Sequence, residues 1–534
     1  MRKGSKQFFF EKKNQKTFAR WLRPFRRGSA RDSKVFCFFF SKKKPFLLAL
    51  PISLSACAVG PDFHKPPTDA NIGYGDSKLT AHDASQKFVK DLDIPGQWWA
   101  LFHSPQVNTL VEHALAANPG LQGAQAALRQ ARESVYAQEG AFFPDISATF
   151  EPTRNKTATR SVSYAASQPT AYYTLVTAQL AVSYSPDIWG GTRREVESLV
   201  AQAEQQRYQL EATYLTLTSN LVAAAINEAS LRAQIAATRQ IIAAETDLLA
   251  VFQRQYAAGQ VAQVDVLAQQ AALAQAQATL PPLQKQFDQQ RDALAALTGA
   301  TPGEVLPESF TLDQLHLPEQ LPVTLPASLV DQRPDVLAAK EALHAACAQV
   351  GVAIANRLPS LTLSAVGGSQ SNYFRQLFAS GNGFWTLAAS LTQPVFDGGA
   401  LLHKARGAWA ALDQAESQYR STTLAAFQNV ADSLAALQAD ADAVAAATTA
   451  ARAAEDTLRI VHLQVSLGQA AYLTILNATQ TALQAELTLI QARANRLADT
   501  AALFQALGGG WWHRTDSQVR DIKGNDIGRI MGIR

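Results

Sequence analysis

Two hydrophobic periodicities share this chain. Apolar Tyr172, Val176, Ala178, Leu180, Val182 and Tyr184 alternate with Tyr173, Thr177, Gln179, Ser183 and Ser185, a two-residue period that predicts a strand with one apolar face. Trp385, Leu387, Ala389 and Leu391 alternate in the same way with Thr386, Ala388, Ser390 and Thr392. With companion runs, the pattern predicts two strand pairs, 144–154 with 172–185 and 359–369 with 384–393. The remaining pattern is helical. From Thr192 to about Phe252 the chain holds Ala, Gln, Glu and Leu with neither Pro nor Gly, and its counterpart from Ala400 to about Val461 is broken only by Gly407. At the helical rise each segment predicts a helix of roughly 90 Å, far beyond the usual three turns. The small alanines permit close helix packing, and Gln and Glu supply a wet face.

The two halves answer one another in order. Asn118-Pro119-Gly120-Leu121 is matched by Arg333-Pro334-Asp335-Val336 and Phe143-Pro144-Asp145-Ile146 by Leu358-Pro359-Ser360-Leu361, both at an offset of 215. Ser185-Pro186-Asp187-Ile188-Trp189-Gly190-Gly191 aligns with Gln393-Pro394-Val395-Phe396-Asp397-Gly398-Gly399 at 208. Gly259-Gln260 aligns with Gly468-Gln469 at 209, and Leu297-Thr298-Gly299 with Leu507-Gly508-Gly509 at 210. Five landmarks in one order imply a tandem duplication. Each copy reads helix, strand, loop, strand, long helix, Gly turn, helix. The layout is residues 1–56 as extension and signal, 57–104 as tether, 105–326 and 327–510 as the repeats, and 511–534 as a C-terminal tail, mobile over 513–534. Gly190 and Gly398 stand where strand becomes helix, and Gly259 and Gly468 where the long helices turn back. Pro281-Pro282 removes two backbone donors inside a helix and predicts a kink or short break near Leu280 that copy 2 lacks.

Charge changes the picture more than its total does. The net +4 hides 15 Lys/Arg against 2 Asp/Glu in residues 1–56, leaving 33 against 42, or −9, for residues 57–534. With the basic stretch set aside, nothing points to nucleic acid. Lys42-Lys43-Lys44 leads into the apolar run 45–52 and ends at Leu54-Ser55-Ala56-Cys57, too short to span a bilayer and better read as a signal peptide. It resembles a bacterial lipoprotein signal. That resemblance implies a diacylglycerol and an N-acyl chain on Cys57, and outer-membrane delivery because Ala58, not aspartate, follows. Since no methionine lies between Met1 and Met531, translation from a non-Met codon near Val35 is an expectation that would leave a signal of ordinary length. Cys37, Cys57 and Cys347 match no metal or redox spacing, and no HExxH, Walker, GxGxxG or GxSxG motif is present. The reading is of a non-enzyme without cofactor or metal.

Four amphipathic strands cannot close a membrane barrel, and an open edge would leave backbone groups unpaired in lipid. Oligomerisation is therefore required, and three chains would supply twelve strands. The order Cys57-Ala58-Val59-Gly60-Pro61-Asp62-Phe63, Trp98-Trp99-Ala100-Leu101-Phe102, Asn118-Pro119, Phe143-Pro144, Ser185-Pro186-Asp187-Ile188-Trp189-Gly190, Arg333-Pro334-Asp335-Val336 and Ala506-Leu507-Gly508-Gly509-Gly510-Trp511-Trp512 resembles the outer-membrane factor family, in its NodT-like lipoprotein branch. The resemblance implies a mixed α/β membrane protein. It would be a homotrimeric twelve-stranded barrel, four strands per chain, continued by a periplasmic helical barrel. It also implies an exit duct for drugs, metals or other small solutes, coupled through a periplasmic adaptor to an inner-membrane RND-type pump. Relatives carry G-x-x-x-Y-L-x-x-L-D at the second helical turn. Gly468, Tyr472, Leu473 and Leu476 match but Asn477 replaces the acid, while copy 1 offers Asp265, so a charged gate ring is open to Asp265 alone and a solvated helix-start role is the alternative. A type I protein-secretion duct and a non-channel periplasmic coiled-coil lipoprotein are the rival readings.

Overall fold

The alternating runs become one antiparallel sheet and the uninterrupted runs become very long helices. The structure is a computed structural model that describes residues 58–67, 86–90, 92–156, 172–304, 308–323, 326–469 and 472–514. The Cys57 position and the signal therefore lie outside the described residues. In chain order the elements are β1 (Lys87–Lys90), α1 (Pro105–Ala117), α2 (Pro119–Glu139), β2 (Asp145–Lys156), β3 (Tyr172–Tyr184), α3 (Gly191–Ala257) and α4 (Gln263–Leu297). They continue with β4 (Gln320–Val323), α5 (Pro326–Gln332), α6 (Pro334–Ala355), β5 (Ser360–Ser371), β6 (Gly383–Thr392), α7 (Ala400–Ser466) and α8 (Tyr472–Ala506).

The duplication is visible in element lengths. The helices α3 and α7 have 67 residues each and α4 and α8 have 35 each. Both pairs begin and end 209 residues apart. At the helical rise α3 and α7 are about 100 Å long. The strands β2 and β5 have 12 residues each, starting 215 apart. The sheet order is β2-β3-β5-β6, so β2 and β6 are its edges.

Equivalent positions meet the same need with different chemistry. Asn118 caps α2 by accepting from the Leu121 N–H at 3.0 Å and donates its amide to the Leu297 carbonyl at 2.8 Å. Its counterpart Arg333 donates to the Ala506 carbonyl at 3.0 Å. Each thereby satisfies a carbonyl at the end of a returning helix, which would otherwise lack an intrahelical partner.

Helix α4 runs unbroken through Pro281 and Pro282, so the short break expected near Leu280 is absent. The two prolines deprive only the Gln277 and Ala278 carbonyls of partners, and both residues are exposed and open to water. The tether also differs from expectation: β1 pairs in parallel with β4, and Trp98–Phe102 forms a 3-10 turn with Trp98, Trp99 and Phe102 buried. Trp98 stacks on Phe504 at 5.6 Å within a core that takes in Leu221, Ile226, Leu294 and Phe310. The start of the C-terminal tail, including Arg514 of the stretch expected to be mobile, is likewise docked. Trp511 donates to the Gln332 carbonyl at 2.6 Å, and Arg514 binds Glu211 at 2.6 Å while lying 3.6 Å over the Tyr214 ring. Residues 515–534 lie outside the described residues.

Candidate channel wall and helical tip

Register sorts the four strands into two chemically distinct faces. The pairs Ile146↔Val182, Phe150↔Ala178, Tyr184↔Leu363, Val182↔Ala365, Leu361↔Leu391 and Ala365↔Leu387 lie on one side of the sheet. The pairs Thr149↔Gln179, Glu151↔Thr177, Ser183↔Ser364, Thr177↔Gln370 and Thr362↔Ser390 lie on the other. Opposed residues of an antiparallel pair share a face, so the segregation is continuous across all four strands. The apolar side is bare: Ile146, Phe150, Leu180, Trp385, Leu387 and Leu391 are 57–75% exposed. A soluble sheet would cover such a patch. A barrel wall turns it to lipid and its Ser/Thr/Gln face to water. No helix among the described residues is long and apolar enough to cross a membrane.

Below the sheet each wall hands over to a long helix through an acid-and-glycine junction. In copy 1 Asp187 accepts from the Thr192 and Arg193 N–H groups at 3.1 and 3.0 Å, and in copy 2 Asp397 accepts from those of Gly399 and Leu401 at 2.8 and 2.7 Å. These backbone bonds hold the Asp397 carboxyl below its ordinary range. Gly190 has φ 75° and Gly398 has φ 68°, left-handed conformations that suit glycine. The Trp189 indole donates to the Pro359 carbonyl at 2.7 Å, tying the two copies together.

The copy 1 junction is covered by the segment 58–63. Val59 N–H donates to the Trp189 carbonyl at 3.0 Å, and a β-carbon at Gly190 would lie 2.6 Å from Ala58 Cα. Arg194 is a buried cation that binds Asp62 at 2.6 Å, Glu197 at 2.7 Å and the Val59 carbonyl at 3.3 Å. Its hydrogen bond and charge hold the Asp62 carboxyl below its usual range. Phe63 stacks on His344 at 4.4 Å, and Glu341 and Glu197 raise the His344 pKa against its burial. Arg194 is thus a structural clamp.

At the far end, Gly259 and Gly468 both have φ 71°. Gly259 N–H donates to the Tyr256 carbonyl and Gln260 N–H to that of Gln255, while Gly468 and Gln469 repeat the pair onto Val465 and Gln464. This is the double bond of a Schellman turn. Asp265 sits three residues into α4, exposed, its carboxylate accepting from the Ala262 N–H at 3.1 Å. Asn477 is exposed within the second turn of α8, not in the Gly turn, and its carbonyl accepts from the Thr481 hydroxyl at 2.8 Å.

The sequence profile of the family described as outer membrane efflux protein matches residues 110–300 and 325–509, one match for each copy. The chain belongs to that family. An outer membrane efflux protein is a channel, not an enzyme, and the two-faced sheet with its helical extension is the wall of that channel. Sequence relatives include the pyoverdine export outer membrane protein OpmQ of Pseudomonas aeruginosa, 28% identical over 474 residues, covering 88% of this chain and 98% of that protein. The toluene efflux pump outer membrane protein TtgC of Pseudomonas putida is 27% identical over 474 residues, covering 88% of this chain and 96% of its own length. The solved outer-membrane channel OprN superposes with a TM-score of 0.77 at 26% identity, covering 85% of this chain and all of its own. The outer-membrane sheet and long helices expected from the sequence are those of this channel fold, and the non-channel coiled-coil alternative falls with them.

Proposed function

We propose that three copies of this outer-membrane channel close one twelve-stranded barrel and form the exit duct of a tripartite pump. The observation that carries this reading is the unfilled half of the repeat. Among the described residues helix α3 is flanked by α2, α4, α6 and α8, whereas its equivalent α7 packs closely on α6 and α8 alone of the long helices. Helix α6 packs on both α3 and α7, whereas its equivalent α2 packs on α3 with no comparable second neighbour. The strands β2 and β6 are likewise open edges. A neighbour related by rotation about one axis supplies what is missing: its α7 beside α2, and its β6 beside β2. Closure also satisfies the edge backbone groups that lipid cannot.

Drugs, metals or other small solutes pass from a periplasmic adaptor and an inner-membrane RND-type pump along the Ser/Thr/Gln face. The names of OpmQ and TtgC, a pyoverdine export protein and a toluene efflux pump component, favour small-molecule efflux over protein secretion. The chain is anchored, in the manner of the NodT-like lipoprotein branch, by a diacylglycerol and an N-acyl chain on Cys57. The support is positional, because the residue that follows Cys57 is pressed against the sheet-to-helix junction where the membrane face would lie. At the opposite mouth three copies of Asp265 form a charged ring, with Asn477 leaving the second turn neutral.

Reconstituted protein should conduct in planar bilayers and migrate in a heat-modifiable way, and a protein that does neither refutes the channel. Cys57→Ser should abolish acyl labelling, and an unlabelled wild type refutes the anchor. Asp265→Ala should lower cation preference, and an unchanged channel removes it from the gate.

A further inference from the structure

The sheet's outer face carries a second signal beyond its apolar band, and it is one of charge. Residues 57–534 are net acidic, yet the stretches 152–186 and 342–396, which hold most of the four strands, contain no Asp or Glu. Their Lys/Arg residues are Arg154, Lys156, Arg160, Arg357 and Arg375, and of those the structure describes, Arg154, Lys156 and Arg375 belong to the end of the sheet away from the helices. Register places Arg154 opposite Thr174 and Lys156 opposite Tyr172, on the same face as Ile146 and Phe150. They stand about 14 and 20 Å further along β2 than Phe150. Both are exposed, Arg154 donating to the Thr174 hydroxyl at 2.9 Å and Lys156 lying 5.5 Å over the Tyr172 ring. The acidic residues of β2, Asp145 and Glu151, point to the opposite face. The loop between β5 and β6 folds onto the outer face as well, with Phe374 edge-on to Phe150 at 6.1 Å and exposed Arg375 directly after it. Tyr373 and Phe378 in that loop are also bare.

We propose that Arg154, Lys156 and Arg375 form a binding site for the phosphate groups of outer-leaflet lipid, with the neighbouring aromatic rings lying at the acyl boundary. The proposal rests on the channel reading, which puts this face in lipid. The chemistry fits each part. Guanidinium and ammonium groups pair with phosphate, aromatic rings favour the interface, and no carboxylate on this face repels an anion. A ring of such sites in a closed barrel would hold a shell of phosphorylated lipid around the outer mouth.

The test uses the full chain in detergent, with diphosphorylated lipid A, its dephosphorylated form, and excess inorganic phosphate as competitor. Lipid retained through gel filtration is quantified for wild type, for the variant R154Q/K156Q/R375Q, and for Lys285→Gln on exposed α4 as a single-charge control away from the sheet. A basic side chain near an anionic surface is worth about fivefold in affinity, so the triple variant should retain the diphosphorylated lipid at least about tenfold less well. K285Q should match wild type, dephosphorylated lipid should be held weakly and equally by all, and inorganic phosphate should not displace the lipid. Equal retention by wild type and triple variant overturns the site, as does retention indifferent to the lipid phosphates or displacement by free phosphate. Conductance is recorded on the same preparations. A wild type that conducts but does not select phosphorylated lipid overturns the rim site alone, and one that does not conduct overturns the channel reading beneath it.

Discussion

Substituting alanine for Gly190 and, separately, for Gly399 isolates the contact that docks the segment after Cys57 against the channel. The two glycines occupy equivalent places before α3 and α7, with φ 75° and 89°. An alanine in the left-handed region costs about 1–2 kcal/mol, and both variants carry that cost alike. They differ in what the new methyl group meets. At 399 the nearest atoms are those of the His403 ring at 3.6 Å, an ordinary contact. At 190 the methyl group would lie 2.6 and 2.7 Å from Ala58 Cα and Cβ, so the segment must move. Overpacking of this kind costs about 2 kcal/mol, which is roughly thirtyfold in an opening equilibrium. The Val59 amide reports that opening, because its bond to the Trp189 carbonyl breaks when the segment lifts. Hydrogen exchange of the peptide over residues 58–64 should therefore accelerate about thirtyfold in Gly190→Ala, with little change in Gly399→Ala. Equal protection in the two variants would refute the docking of the segment on the junction.

Two further outcomes follow from buried charge. Burial between α7 and α8, with Asp499 alongside, pushes Asp440 up to about 7, opposed by Arg496. A folded carboxyl with a pKa above its unfolded value of about 3.9 binds its proton more tightly in the native state, so stability declines from about pH 4 to about 7 and is flat beyond. Asp440→Asn should remove most of that decline and stabilise the protein at pH 8 by about 1 kcal/mol, read as a thermal midpoint; an unchanged pH profile would exclude the pair. Glu228 is fully buried and joins α3, α4 and the crossover, accepting from Arg232 at 2.5 Å, Arg291 at 3.4 Å and the Phe310 N–H at 3.2 Å. Glu228→Ala strips two guanidinium groups of that carboxylate and should cost about 3 kcal/mol in the same measurement, and a neutral result would mean the network carries little stability.

The long-range plan was legible because it is written in period and punctuation. Alternation placed the four strands to within about two residues, and long runs without proline, broken in α7 by Gly407 alone, placed α3 and α7. What was not legible depended on contacts between distant segments. Nothing local in Lys87–Lys90 predicts pairing with Gln320–Val323, since four residues carry little periodicity. The burial of Trp98 against Phe504 and the docking of Arg514 on Tyr214 arise from segments far apart in sequence meeting beside α3. Nothing near Arg194 in the sequence predicts its clamp on Asp62, which is 132 residues away. The helix through Pro281-Pro282 shows the limit of a local rule, because exposed carbonyls can be satisfied by water where buried ones cannot.

In the proposed trimer β6 of one chain pairs with β2 of the next. Within the chain Thr177 pairs with Gln370 and Ser183 with Ser364. Shifting β3 by the 209-residue helix offset and β5 back by the 215-residue strand offset carries that register to the missing interface, where it opposes Thr392 to Thr149 and Leu391 to Phe150. Both pairs keep polar with polar and apolar with apolar. The double variant T149C/T392C, oxidised in intact membranes, should give covalent dimers and trimers on a non-reducing gel, while T149C with Leu391→Cys, one residue out of register, should give far less. Buried Cys347, whose thiol is raised by desolvation, does not compete. Monomer alone from T149C/T392C, or equal cross-linking from both pairs, would contradict a closed barrel in this register.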